Sequence, residues 1–446
     1  MSAPRNGSDR LATRILIGLV VGLVLGALAR AIGAGSPRFQ QAALWTADNL
    51  LDPFGQVFLR LLFFVVIPLV FASLALGVVQ LGRLDKLGPL AAKTFSLFAL
   101  NMAVAVALGL VMMNWLKPGV GLDPATKAQM IERFAGKAKE HQAAAAAQQA
   151  QGFTLHTAVE MFMPRNLLAA VVGPSPARLG DVLPLILFAL LVGAAGTLLP
   201  EEKRRVLQGA LEITGELMTT LVHWALRLAP YAVPAMIASV VIQFGAEFIH
   251  SLLLFVVGVL AVMAVHLFGT MSLMVKFLAR RSPLAFFKAI RTVMVTAFST
   301  SSSNATLPTS IQVSRENLGV SAPTAGFVLP LGATMNMSGT ALYEGCVVLF
   351  VAQVFGVDLS LTQQLTLLVL AVLSAVAVAG IPGGSLPLIV GLLATFNVPP
   401  EGIALILGVD RLLDMARTVL NVAADIVTAC IVDERSGETA GGAPQR

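Results

Sequence analysis

Apolar residues run along this chain in long blocks, and polar positions inside them are few. About 20 apolar residues wound as a helix cross a bilayer. By that measure the pattern predicts spans at residues 15–34, 53–80, 88–115, 181–199, 205–243, 248–279, 323–354 and 401–432. Two further apolar segments, 283–318 and 360–397, carry helix-breaking residues in their middle. The first holds Ser299-Thr300-Ser301-Ser302-Ser303-Asn304-Ala305-Thr306-Leu307-Pro308, and the second Ala379-Gly380-Ile381-Pro382-Gly383-Gly384-Ser385-Leu386-Pro387. Each precedes a span that is itself interrupted: Asn336-Met337-Ser338-Gly339-Thr340 after the first, a run of charges after the second. Backbone that leaves the helix at membrane depth survives only where it lines a cavity or is buried in protein. The duplicated order of broken segment and span predicts inverted repeats with re-entrant hairpins.

The charged run is the strongest signal. Within residues 408–432, at about 100° per residue, Asp410, Asp414, Arg417, Thr418, Asn421 and Asp425 fall on one stripe, with Leu, Val, Ala and Ile opposite. A charge at mid-bilayer costs roughly 2.5–3.5 kcal/mol on insertion scales. Several on one face imply a cavity, internal partners and a charged solute bound together with cations.

Composition fits this reading. The chain has 446 residues, 57% hydrophobic and only 12% charged, and its mean hydropathy is +0.83; soluble domains carry about 25% charged residues, so this is a polytopic membrane protein. The net charge of +6 does not argue for nucleic acid. Arg83, Lys86 and Lys93, then Lys203, Arg204 and Arg205, then Arg280, Arg281, Lys288 and Arg291 sit in alternate connectors, which with the N-terminal arginines puts both termini in the cytoplasm. The apolar run that starts at Ile15 continues past Gly18, Gly22 and Gly26, so it reads as a retained span rather than a signal peptide. The glycine spacing suits close helix packing or ordinary glycine tolerance in a membrane helix. Residues 117–154 form a long polar external loop with an Ala/Gln tract. Cys346 and Cys430 form no disulfide framework, and the five histidines form no metal-spaced cluster.

These segments resemble the dicarboxylate/amino acid:cation symporter family, the glutamate/aspartate transporter family. The resemblance rests on residues 60–73 (RLLFFVVIPLVFAS), 228–235 (LAPYAVPA), the serine-rich tip, 332–344 (GATMNMSGTALYE), 379–384 and 408–425 (GVDRLLDMARTVLNVAAD), in that order over nearly the whole chain. It implies an all-α homotrimer in a bacterial-type inner membrane, each protomer with eight spans and two re-entrant helical hairpins. Residues 1–87 and 155–247 would be a static scaffold. Residues 88–116 and 248–432 would be a transport domain moving as an elevator, with 433–446 a cytoplasmic tail. The function implied is symport of L-aspartate or L-glutamate with Na⁺, H⁺ or both, without a cofactor. Runner-up readings are a C4-dicarboxylate or neutral amino acid carrier and an anion channel. An intramembrane serine hydrolase is disfavoured because Ser302 and Ser303 have no base in a nearby motif.

Residue by residue, the resemblance gives the substrate to Ser302, Ser303, Thr340, Asp414, Arg417, Thr418 and Asn421. Asp414 would hold an amino group, and Arg417, whose planar fork suits carboxylate, a side-chain carboxylate. One Na⁺ would sit among Asp425, Gly332, Asn336 and Asn421, and a second near Thr334 and residues 375–378, because hard cations take oxygen ligands. Gly380, Ile381, Pro382 and Gly383 would form the gate. The departures matter as well. Ser338 stands where the family usually has aspartate, and Phe98, Asn101 and Met102 match the hydroxyl-bearing positions of a third sodium site, so that site is expected to be absent or degraded. Glu344 matches a glutamate that carries a proton in the animal transporters; a buried carboxyl is easily kept neutral, which suits that task. The family's additional arginine is replaced by Ser301 and Met415, and Arg411 either supplies that charge from another angle or faces a cavity wall or headgroups.

Overall fold

Long runs of Leu, Val, Ala and Ile without interior breakers satisfy every backbone group within one helix, which is what a bilayer demands. The computed structural model describes residues 8–81, 88–120, 163, 165–168, 182–378 and 384–440, and among them every regular element is helical. The gate residues Gly380, Ile381, Pro382 and Gly383 lie outside the described residues, as does most of the 117–154 loop.

The helices are α1 (Ser8–Gly35), α2 (Pro37–Thr46), α3 (Asp52–Leu81), α4 (Gly88–Leu116), α5 (Val182–Thr197), α6 (Glu201–Phe244), α7 (Ala246–Ala264), α8 (Met271–Phe277), α9 (Pro283–Ala289), α10 (Arg291–Thr300), α11 (Ser303–Glu316), α12 (Ala322–Met335), α13 (Ser338–Phe355), α14 (Leu361–Ala377), α15 (Leu386–Thr395) and α16 (Leu407–Ala440). Among the described residues, five stretches are long and apolar enough to cross a membrane: Ile17–Gly35, Ala92–Leu116, Ile249–Phe277, Ala322–Phe355 and Leu407–Asp433. A sixth is the bent pair Glu201–Val222 and Arg227–Gln243, which turns by 50°. Of the remaining expected spans, 53–80 coincides with α3 and 181–199 with the shorter α5.

Local chemistry moved some boundaries. The last helix begins at Leu407, because Pro399, Pro400 and Gly402 hold Pro400–Leu405 in a 3₁₀ turn. The expected span at 248–279 is α7 and α8 joined through a π-helical turn, Val265–Thr270. α2 follows the first span at once, started by Pro37 at its first turn.

α1, α3, α5 and α6 pack on one another. A Cβ at Gly22 would stand 2.6 Å from the Pro234 carbonyl oxygen, one at Gly18 3.1 Å from that of Pro230, and one at Gly26 2.7 Å from the Val241 side chain. The glycine stripe is therefore the seam on which α1 lies against α6. Arg30 closes the same seam by donating to the carbonyls of Ile242 and Gln243 at 3.1 and 3.0 Å, at the C-terminus of α6. Ser239 donates to Asp52 at 2.6 Å and ties α6 to α3.

α4 and α7 to α16 gather around α13 and α16. The most apolar 18 residues within Ala322–Phe355 are 94% buried and those within Leu407–Asp433 89%, against 22% within Ile17–Gly35, so the polar spans are the ones removed from lipid. Three breaks point into this core. α10 and α11 are joined through Ser301, at φ +49° in the left-handed region, and the extended Ser302. α12 and α13 are interrupted at Asn336 and Met337. α14 ends on the extended Val378. Side chains fasten the end of α11 to the end of α9, and α14 to α4. Asn317 donates to the Ala289 carbonyl at 3.1 Å, and Asn114 of α4 to Gln364 of α14 at 2.6 Å.

A side chain in the α1–α6 seam should separate the helices. Gly22→Val is expected to cost about 1–3 kcal/mol by overpacking and to lower the melting temperature in detergent. Gly326→Ala, where a Cβ meets nothing within 4 Å, should leave it unchanged; equal melting of the two variants would refute the seam.

Candidate functional site

The charged stripe of α16 is buried inside the protein. Asp410, Asp414, Arg417, Thr418, Asn421 and Asp425 are each at most 6% exposed. Buried charge persists only when it is paired, and here the pairing is mutual. Arg417 Nε donates to Asp414 Oδ1 at 2.8 Å, its second nitrogen lies 3.5 Å from Asp410 Oδ1, and its guanidinium stacks 4.7 Å from the centre of the Tyr343 ring. Tyr343 donates its hydroxyl to the same Asp410 oxygen at 2.9 Å. Arg411 reaches the other side of Asp414, 3.6 Å from Oδ2. Two carboxylates, two guanidiniums and a phenol thus form one cluster.

The three breaks converge on it. A cavity of about 10 Å³, room for one water molecule, is lined by Ser301 and Ser303 from the first tip, Met337 and Thr340 from the α12–α13 break, Val378, Gly384 and Ser385 from the second, and Asp414, Arg417, Thr418 and Asn421 of α16. Broken helix ends turn free N–H groups toward such a space, which favours carboxylate. Of the residues expected to hold substrate, Ser303, Thr340, Asp414, Arg417, Thr418 and Asn421 all line this cavity. The Ser302 hydroxyl instead accepts from Ala305 N at 3.2 Å and caps α11. Its neighbour Ser301 lines the cavity with a buried hydroxyl that makes no hydrogen bond.

Asn421 joins this cavity to the α12–α13 break. Its Oδ1 accepts from Gly339 N at 2.8 Å, and its Nδ2 donates to Thr340 Oγ1 at 3.2 Å. Gly339 is required there: a Cβ would stand 2.9 Å from the Arg417 Cα and overlap the Arg417 carbonyl oxygen. One turn further, Asn336 Nδ2 donates to Asp425 Oδ1 at 2.9 Å, and a Cβ on Gly332 would overlap that carboxylate. The Asn336 side-chain oxygen, Oδ1, is buried without a hydrogen bond. A buried carboxylate, an unpartnered amide oxygen and close backbone make an oxygen set that fits a hard monovalent cation. Thr334, by contrast, is exposed and donates its hydroxyl to Leu331 at 2.9 Å within its own helix.

Glu344, one residue beyond Tyr343, is fully buried, and neither of its carboxylate oxygens makes a hydrogen bond of ordinary geometry; the Ser374 hydroxyl of α14 approaches it. α4 and α13 run parallel. Gly109 abuts Leu342 and Cys346, and Gly119 abuts Phe350 and Gln353. The same register brings Asn101 to the level of the 336–338 break. Phe98 and Met102 are buried beside it, and the Asn101 amide and the Ser338 hydroxyl are buried without hydrogen bonds.

Sequence reasoning put Asp410 on the stripe without a role and gave Tyr343 none. The signal was available for Tyr343: it is one of two tyrosines in the chain, and a phenol in an apolar span needs a polar partner.

Residues 11–435 match the model of the sodium:dicarboxylate symporter family. Over 432 residues the chain is 32% identical to a proton/sodium-glutamate symport protein of Geobacillus stearothermophilus, covering 96% of this chain and 95% of that protein. Over 389 residues it is 31% identical to a proton/glutamate-aspartate symporter of Escherichia coli (strain K12), covering 87% and 86%. A C4-dicarboxylate transport protein of Anaeromyxobacter sp. (strain K) is 30% identical over 391 residues, covering 87% and 84%.

If Gly339 sets the spacing between α13 and α16, Gly339→Ala should push the two apart. The variant is expected to keep its helical circular-dichroism spectrum while its melting response to L-aspartate weakens by about tenfold in concentration, the equivalent of about 1.4 kcal/mol. An unshifted response would show that this contact does not shape the cavity.

Proposed function

The chain belongs to the sodium:dicarboxylate symporter family, and we propose that it imports an acidic amino acid, L-aspartate or L-glutamate, together with Na⁺, H⁺ or both. It is a transporter and not an enzyme. One observation carries the substrate: a carboxylate and a guanidinium, Asp414 and Arg417, line one buried cavity where three helix breaks meet. An acidic amino acid offers an ammonium to the first and a carboxylate to the second. The backbone amides and the Ser301 and Ser303 hydroxyls at the first tip take its remaining carboxylate.

Coupling follows from shared parts. The cation set at Asp425 and Asn336 lies about one turn along α16 from Asn421, which touches both the Gly339 amide and the Thr340 hydroxyl of the substrate cavity. A cation that draws the α12–α13 break toward α16 also fixes Asn421, and the ligand does the reverse, so each raises the other's affinity by the same factor. The third sodium site lacks its carboxylate, because Ser338 and the Asn101 amide are neutral, so two sodium ions per substrate are the most this chain carries. Glu344, buried between Tyr343 and the α14 side of the second hairpin, is the proton carrier.

Transport requires the cavity to widen, since one water's worth of space admits no amino acid. The second hairpin, with Gly380, Ile381, Pro382 and Gly383 at its tip, is the gate. The helices gathered around α13 and α16 move as a body against α1, α3, α5 and α6. We read the membrane-crossing elements as eight spans and two re-entrant hairpins, in a homotrimer of a bacterial inner membrane with both termini cytoplasmic. A C4-dicarboxylate is the second reading, favoured by the arginine on the far side of Asp414.

Proteoliposomes should accumulate labelled L-aspartate against its gradient when Na⁺ or H⁺ is imposed inward, and the sodium titration should rise with a slope no steeper than two. Downhill equilibration alone would eliminate symport, and a slope of three would restore the third site. Uptake in the wild type should rise as the outside is made more acidic, because a co-transported proton is then driven inward. Glu344→Gln, which has no proton to give up, should flatten that rise; an unchanged pH profile would remove Glu344 from proton transport.

A further inference from the structure

Arg411 lies off the charged stripe, yet it is only 8% exposed and its guanidinium stands 3.6 Å from Asp414 Oδ2. Asp414 Oδ1 accepts from Arg417 at 2.8 Å. Each oxygen of one buried carboxylate therefore faces a different arginine. The cluster Asp410, Arg411, Asp414 and Arg417 has two negative and two positive charges and balances internally; without Arg411 it would keep one uncompensated negative charge. Arg411 meets Asp414 at 3.6 Å, against 2.8 Å for Arg417, and its buried Nε makes no hydrogen bond, so its hold on Asp414 is the longer of the two and the more readily exchanged for a ligand group.

Resting on the reading above, and refining its substrate class, we propose that Arg411 is a specificity-determining residue: the built-in counter-ion of Asp414 that lets the site accept a C4-dicarboxylate lacking an amino group as well as an acidic amino acid. An ammonium group needs a carboxylate it can neutralise. When the ligand brings one, it takes over the Oδ2 side of Asp414 and Arg411 swings aside. When the ligand brings none, Arg411 stays and Asp414 is still paired, so a second carboxylate can enter the cavity without facing a bare negative charge. Discrimination between two ligands is a difference of affinities, and an unpaired buried charge facing the wrong ligand is an effective way to produce it. In this site Arg411 cancels that penalty.

The test is competition against labelled L-aspartate uptake in proteoliposomes, read as the ratio of the half-inhibiting concentrations of succinate and unlabelled aspartate within each variant, so that differences in expression drop out. The wild type should be inhibited by both, with the ratio within about tenfold. Arg411→Met should raise the ratio by about tenfold or more, chiefly through loss of succinate, because each tenfold step corresponds to about 1.4 kcal/mol. Arg411→Lys should keep the wild-type ratio, since it retains the charge. Ligand-dependent melting of the purified variants reads the same ratio if uptake is too slow, and Arg411→Gln replaces Met if that variant does not fold. A ratio that moves less than about twofold in the uncharged variants overturns the proposal, as does a lysine variant that behaves like methionine. A wild type indifferent to succinate at about a hundredfold the aspartate concentration overturns it too, while leaving acidic amino acid transport intact. A wild type indifferent to both ligands removes the broader reading first.

Discussion

A helix carrying four formal charges within two turns cannot stand in hydrocarbon, and the rest of this protein is arranged around that constraint. Asp410, Arg411, Asp414 and Arg417 neutralise one another at short range. Their helix is removed from lipid by α4, α7, the α10–α11 pair, α12 and α13. Those neighbours must bring polar groups to the same depth, and a regular helix cannot, because its N–H and C=O groups are already used. Three helix breaks at one level solve this problem: each frees backbone donors and acceptors only where α16 needs them. The broken segments and the charged stripe are two sides of one requirement, and neither would be stable without the other.

This dependence explains which features were legible in the sequence. The stripe on α16 and the breakers in 283–318 and 360–397 announce themselves because each is costly in an apolar chain and has few explanations. The residues expected to hold substrate came from the family resemblance that these segments carry, and six of the seven line the cavity. Less visible were features set by distance in space. Whether Ser301 or Ser302 faces the cavity depends on which of them takes the left-handed conformation and which caps α11, and three consecutive serines give no hint of that. Arg411 lies off the stripe by helical angle, yet its long side chain returns to Asp414. The π-helical turn at Val265–Thr270 and the short helix α2 arise from local hydrogen-bond choices that hydrophobic periodicity does not encode. The glycines of α1 had two explanations until Pro230, Pro234 and Val241 were found against them.

The two halves of the molecule use opposite packing chemistry. α1 rests on α6 through glycines and apolar side chains, with Arg30 at one end, and a serine–aspartate bond ties α6 to α3. The half built around α13 and α16 is held by side-chain hydrogen bonds between its helices and by ion pairs at its centre. A body whose polar interactions all close within itself loses none of them when it slides along an apolar face. The proposed elevator-type movement would need that separation: the charges would travel with their partners, and only non-directional contacts would be exchanged along the way.

The cluster also sets how a ligand must bind. In the closed cavity Arg417 already has Asp414, Asp410 and the face of Tyr343. A substrate carboxylate therefore gains little by merely reaching Arg417, because it replaces partners of the same charge. The gain comes when the ligand satisfies Asp414 at the same time with its own cation and leaves no group of the cluster unpaired. Affinity then depends on completing the charge balance rather than on any single contact. The coupling cation proposed at Asp425 would act on the same cluster from one turn away, through Asn421 and the Gly339 and Thr340 groups it holds. The cluster is balanced before a ligand arrives, so a ligand binds well only if it re-pairs every charge it displaces.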